Sequence, residues 1–147
     1  MFVVDTNVLV YAADAAAPEH SRCRALIDRC RLSSAAWFVT WGICYEFLRV
    51  VTHPRVLRRP WSASAAHDFV DGLAAAPGLG VLMPTDRHSE VLRDVVSAVP
   101  GMAGNLWHDA HTATLMREHG IRRICTRDTD FHRFPWVEAI DPMVSEP

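Results

Sequence analysis

Five acidic residues close or interrupt apolar runs at widely separated points of the chain. Asp5 ends the strand-like Phe2-Val3-Val4, and Glu46 lies inside Trp41-Gly42-Ile43-Cys44-Tyr45-Glu46-Phe47-Leu48. Asp109 opens an amphipathic segment, and Asp128 and Asp130 follow Arg123-Ile124-Cys125-Thr126. A carboxylate is costly to bury unless it is paired or holds a metal. Carboxylates gathered in one place also repel, at about 4 kcal/mol for a pair ~4 Å apart in an effective dielectric of ~20. A chain that gathers them anyway is most simply read as a site for divalent cations. Hard cations take oxygen ligands, and Mg2+ keeps several waters while using one or two carboxylates directly.

Polar residues flank these acids. Thr6 and Thr126 carry hydroxyls that can orient a carboxylate or serve a turn. Asn7 follows Asp5 within the first turn. Asn105 is either a helix cap or a hydrogen-bonding group in a cleft. His108 and His111 are spaced i, i+3 rather than as in HExxH, and no cysteine pair joins them, so zinc is disfavoured.

The elements that must position these groups alternate between strand and helix. Strands are expected at Phe2–Asp5, Trp37–Thr40, Val81–Met83, Ile121–Thr126 and Val137–Ile140. Helices are expected at Val8–Ala13, from Pro18 through Leu32, at Gly42–Val51, from Ser62 or Ser64 through Ala75, from a cap at Asp86 through Ala98, and at Leu106–His119 with Gly120 as the stop. Alternation of this kind argues for an α/β domain with a mostly parallel sheet of about five strands. In such sheets, sites lie beyond the carboxyl ends of strands where strand order switches. Asp5, Asp128 and Asp130 would then share one cleft if the first and fourth strands are neighbours.

Composition narrows the class. The 147 residues fit one domain, and half of them are hydrophobic, which excludes disorder. The formal charge is −2, so bulk charge does not announce a nucleic-acid binder. All 15 basic residues are arginine, so every basic phosphate contact must come from a guanidinium fork. Arg49, Arg55, Arg58 and Arg59 cluster with Trp61 in and before a proline-bounded loop; they could guide RNA or simply face solvent. The tryptophans Trp37, Trp41 and Trp107 are expected in the core or at an interface rather than under bases. Cys23, Cys30, Cys44 and Cys125 form no zinc-like pairing and read as buried thiols in a reducing cytoplasm. No leader and no membrane span are expected. The absence of lysine disfavours a response-regulator receiver and a haloacid-dehalogenase-type phosphatase. The latter also needs a second Asp where Asn7 stands.

Asp5-Thr6-Asn7-Val8-Leu9, Glu46 in its apolar helix, Asn105-Leu106-Trp107-His108-Asp109-Ala110-His111 and Thr126-Arg127-Asp128-Thr129-Asp130-Phe131 together resemble the PIN-domain ribonucleases, and more narrowly the VapC toxins of VapBC toxin–antitoxin pairs. The likeness runs from Met1 to about Pro142, which makes 1–142 the expected domain and 143–147 a tail. It implies a three-layer α/β/α PIN-like fold and an endoribonuclease dependent on Mg2+ or Mn2+. Structured RNA, tRNA or rRNA, would be cut to leave a 5′-phosphate. Asp5, Glu46, Asp109 and Asp128 would be catalytic and hold metal, with Asp130 as a further ligand and Thr6, Asn7, Asn105 and Thr126 in support. A cognate VapB-type antitoxin, a homodimer and a cytoplasmic location are implied as well. The rival of another class is an inactive PIN-like scaffold that binds RNA or a partner without cutting.

Overall fold

A computed structural model describes residues 1–147. Its strands are β1 (Val3–Val4), β2 (Trp37–Thr40), β3 (Leu79–Leu82), β4 (Arg123–Cys125) and β5 (Glu138–Ile140). Its helices are α1 (Thr6–Ala13), α2 (His20–Leu32), α3 (Trp41–Val51), α4 (Ala63–Ala74), α5 (His88–Ala98) and α6 (Leu106–Glu118), with a short 3-10 helix at Thr129–Arg133. The strands form one sheet in the order β3-β2-β1-β4-β5, and every pairing is parallel. The sheet is therefore fully parallel, where sequence alone indicated mostly parallel. Strands covered by helices on both faces must be apolar throughout. Val3 and Val4 are completely buried, and a single cluster of 34 buried hydrophobic residues makes one continuous core.

Several expected boundaries move, each for a local reason. Helix α1 begins at Thr6, because the Asp5 side chain accepts the Thr6 N–H. Pro18 is not the first residue of α2; Asp14 organises a turn through Ala17, and the helix starts at His20. Asp86 does not cap α5. The cap position falls on Arg87, whose N–H is held by the Thr85 hydroxyl. Strand β3 starts earlier than expected, at Leu79, because the Trp37 N–H donates to the Gly78 carbonyl and sets Leu79 beside Trp37; Gly80 lies under the Phe38 ring, where an added Cβ would come within 2.7 Å of it. Strand β4 is shorter than Ile121–Thr126. Gly120 takes a φ of +67°, and the Ile121 N–H turns back to the Met116 carbonyl, so that residue closes the helix rather than entering the sheet.

Candidate active site

The site is built where β1 and β4 end side by side. Val4 is in register with Cys125, and the Asp5 N–H donates to the Cys125 carbonyl at 3.1 Å. Parallel neighbours send both chains out of the sheet at the same edge. The turn from β1 into α1 and the loop after β4 therefore meet, although 119 residues separate Asn7 from Thr126.

The meeting is laced by side chains. One Asp5 oxygen accepts the Thr6 N–H at 2.7 Å; the other accepts from Asn7 Nδ2 at 2.7 Å and from the Thr126 hydroxyl at 2.6 Å. Thr126 Oγ1 in turn accepts from Asn7 Nδ2 and from the Asp128 N–H, both at 2.9 Å. Asp128 caps the 3-10 helix, its Oδ1 accepting the Asp130 N–H at 2.9 Å. Asp5 is thus both the cap of α1 and a residue of the cleft.

Helices α3 and α6 close the cleft from the side. They approach closely at Gly42, where a Cβ would stand 3.2 Å from His111 Nδ1. Glu46 on α3 accepts from the Thr6 hydroxyl at 3.4 Å and pairs with Arg49 at 3.3 Å. Asp109 lies half-buried in the first turn of α6. Carboxylate oxygens of Asp109, Asp128 and Asp130 all lie within 4.8 Å of one another. An open cleft of about 870 Å³ is lined by all five acids together with Thr6, Asn7, Arg49 and Asn105. Asn105 stands at the start of α6 but makes no capping bond, which leaves its amide free for the cleft.

Crowding has an electrostatic signature. Burial pushes the Asp5 carboxyl up to about 6; Asp128 and Glu46 add to the rise, and the Thr126 and Thr6 hydrogen bonds oppose it. Burial also pushes Asp109 up to about 7, reinforced by the charges of Asp128, Asp5, Asp130 and Glu46. Hydrogen-bond donors normally lower a carboxyl pKa. Here they do not overcome desolvation, and no cation acts on Asp5 or Asp109 to offset it.

The structure does not bring every expected residue to this place. Arg58 and Arg59 line a different hollow of about 460 Å³, with Leu57 and Trp61 facing Ala13–Ala16. Arg55 lines neither hollow; its N–H is held by His53 Nδ1. Other groups in or beside the cleft escaped the sequence reading. Tyr11 and Tyr45 line it, and Thr112 lines its deep end beside His108 and His111. Tyr45 is adjacent to Glu46, so neighbourhood in sequence was a usable signal for it. Trp37 is buried as expected, whereas Trp41 (51%) and Trp107 (45%) stay exposed along with Tyr45 (68%).

Comparison with known proteins gives concordant results. A family model described as the PIN domain matches residues 2–137. Ribonuclease VapC48 of Mycobacterium tuberculosis is 33% identical over 94% of each chain. The crystal structure of Mycobacterium tuberculosis VapC20, described as a Sarcin-Ricin loop cleaving toxin, superposes with a TM-score of 0.65 at 17% identity, covering 90% of this chain and 93% of that one. VapBC2 from Rickettsia felis, bound to a DNA fragment from its promoter, gives 0.64 at 12% identity over 95% and 96%. At such low identity the structural matches speak for a common fold.

Proposed function

The chain belongs to the PIN-domain family and is related to the VapC ribonucleases, and from that premise we propose that it is the toxin of a type II toxin–antitoxin pair. Its activity is that of an endoribonuclease cutting structured RNA, tRNA or rRNA, with Mg2+ or Mn2+, to leave a 5′-phosphate. The observation that carries this reading is the convergence of Asp5, Glu46, Asp109, Asp128 and Asp130 on one cleft, with two of those carboxyls held far above their ordinary range.

The donor set fits a hard divalent cation. Oxygens of three carboxylates within 4.8 Å of one another, on a cleft with no cysteine, match the preference of Mg2+ or Mn2+ over zinc. Asp5, Glu46, Asp109 and Asp128 would hold the cation directly or through water, and Asp130 would complete the set. When bound, the cation stabilises charge on the scissile phosphate and acidifies a water for attack on phosphorus. The protein's own contribution is position and proton balance. Thr6, Asn7 and Thr126 fix the Asp5 and Glu46 oxygens, and Asn105 offers an amide to the substrate. Asp5 and Asp109, whose carboxyls are raised to about 6 and about 7, would have to be ionised to hold the cation. Arg49 sits at the cleft with its charge shared by Glu46, and Arg55, Arg58 and Arg59 supply phosphate contacts further out.

The same reading assigns partners. A VapB-type antitoxin silences the enzyme by covering the acidic cleft. The exposed Trp41, Tyr45 and Trp107, unusual on a surface, suit self-association into a homodimer. Residues 1–142 form the nuclease domain and 143–147 its tail. No helix is long and apolar enough to cross a membrane, in keeping with a cytoplasmic enzyme.

The decisive experiment incubates the purified protein with total RNA, with Mg2+ and with EDTA, and maps the new ends. Discrete cuts bearing 5′-phosphates, present only with metal, are expected. RNA binding with no metal-dependent cleavage would replace the nuclease by a scaffold. Light scattering tests the dimer, and rescue of growth by a small neighbouring reading frame tests the antitoxin.

A further inference from the structure

The loop that carries Asp128 and Asp130 is anchored on both sides, and its outer anchor is a residue the proposed chemistry does not use. On the cleft side, Thr126 Oγ1 holds the Asp128 N–H, and Asn7 Oδ1 accepts the Arg127 N–H at 3.3 Å. On the outer side, the Arg127 guanidinium bridges two acids from distant elements. Its Nη1 donates to Glu19, at the start of α2, and its Nε donates to Asp141, just past β5, at 3.4 Å. Both acids are themselves built in. The Glu19 carbonyl accepts the Cys23 N–H of α2, and Asp141 Oδ1 accepts the Met143 N–H at 2.8 Å. Asp128 therefore lies between a residue clamped to two elements and the first turn of the 3-10 helix.

Resting on the function proposed above, we propose that Arg127 is a positioning residue for the metal-binding carboxylates, acting through the Glu19–Arg127–Asp141 bridge. A guanidinium fork can serve two carboxylates at once, which a single ammonium cannot do in the same geometry. Groups that orient metal ligands without touching the metal commonly carry tenfold or larger effects on affinity.

Charge and position make opposite demands, so the sign of the effect discriminates between them. Arg127 is a cation one residue from Asp128. If its charge alone mattered, removing it would make the cleft more negative and tighten cation binding. If it positions the loop, removing it loosens cation binding.

The test is a Mn2+ titration of the RNA-free protein by calorimetry or Mn2+ electron paramagnetic resonance. Arg127→Ala should bind Mn2+ about tenfold more weakly than the parent, and Arg127→Lys, which keeps the charge, should also be several-fold weaker. Asp141→Asn should weaken binding less than Arg127→Ala, because Glu19 still holds the fork. Unchanged or tighter Mn2+ binding by Arg127→Ala overturns the inference. So does a normal Mn2+ affinity combined with a flatter salt dependence of RNA binding, which would make Arg127 a phosphate contact. If Arg127→Ala does not fold, Arg127→Lys decides alone, and full parental affinity in that variant is equally fatal. Absence of Mn2+ binding by the unmodified protein would instead bring down the nuclease reading, and this inference with it.

Discussion

Two acidic neighbourhoods of this molecule treat their carboxylates in opposite ways. At the seam between α5 and α6, the Glu118 side chain is fully buried. Burial pushes its carboxyl up, but the hydroxyl and N–H of Thr85 and the ring of His88, 2.7 Å away, outweigh that and hold it below its ordinary value. In the cleft, Asp5 has comparable donors yet stays well above its ordinary value, and Asp109 climbs further. The difference is how far the donors offset burial: at Glu118 the Thr85 and His88 bonds outweigh it, whereas at Asp5 and Asp109 desolvation is the largest influence and prevails, with the neighbouring acids adding to it. A buried carboxylate is thus not by itself a sign of function. Charge that the fold leaves uncompensated is the better sign.

The contrast can be broken most forcefully at the centre of the cleft. Asp5→Asn or Asp109→Asn should reduce RNA cleavage by at least about a hundredfold, as when a group stabilising transition-state charge is removed. Both variants should remain folded, and in EDTA near pH 8 Asp109→Asn should unfold at a higher temperature than the parent, because a charge disfavoured by burial and by its acidic neighbours is gone. Full cleavage by either variant would remove that residue from the catalytic set.

Titration sharpens the same contrast. The folded carboxyls of Asp5 and Asp109 sit at about 6 and about 7 against an ordinary 3.8. A raised folded value stabilises the fold fully below about pH 4, and that contribution is lost as pH rises through 6 to 7. In EDTA, thermal stability should therefore lose this contribution between about pH 4 and about pH 7. Added Mg2+ should restore it at the upper end and do little at the lower. A flat profile in EDTA would show the cleft to be relaxed.

Glu118→Gln should act on stability instead. Disturbing its bonds to Thr85 and His88 should cost roughly 1–3 kcal/mol in denaturant unfolding while cleavage by the folded fraction persists. The smallest effect is expected outside both neighbourhoods. Replacing Arg55, Arg58 and Arg59 by Gln should flatten the salt dependence of RNA binding, by roughly 0.7 in slope for each single-strand phosphate that is no longer neutralised. An unchanged slope would assign these arginines to solvent or to the antitoxin.

Sequence reading reached the sheet and the acids because both leave local marks. Apolar runs such as Trp37–Thr40 define strands, and an acid at the end of such a run stands out. What it missed is decided by interactions across the chain. Asp86 looked like a cap, but the turn at Thr85 set the start of α5. Asn105 could not be divided between cap and cleft until the direction of its neighbours was known. The sharing of one hydroxyl, that of Thr126, among Asp5, Asn7 and Asp128 requires residues 119 or more positions apart to meet, which no spacing rule anticipates. Arg127 carried no signal at all, since its partners lie on two other elements. Of the tryptophans read as core or interface, Trp37 is in the core while Trp41 and Trp107 remain at the surface, a division that residue type alone could not make.

The pairing of β1 with β4 has a bearing on synthesis. Val3 and Val4 are synthesised 121 residues ahead of Ile124 and Cys125, which flank them in the sheet. At about 5–20 residues per second, one edge of β1 waits on the order of ten seconds for its neighbour. The cleft thus stays incomplete until β4 and the loop after it have been translated, however early β1 and the helix it feeds have formed.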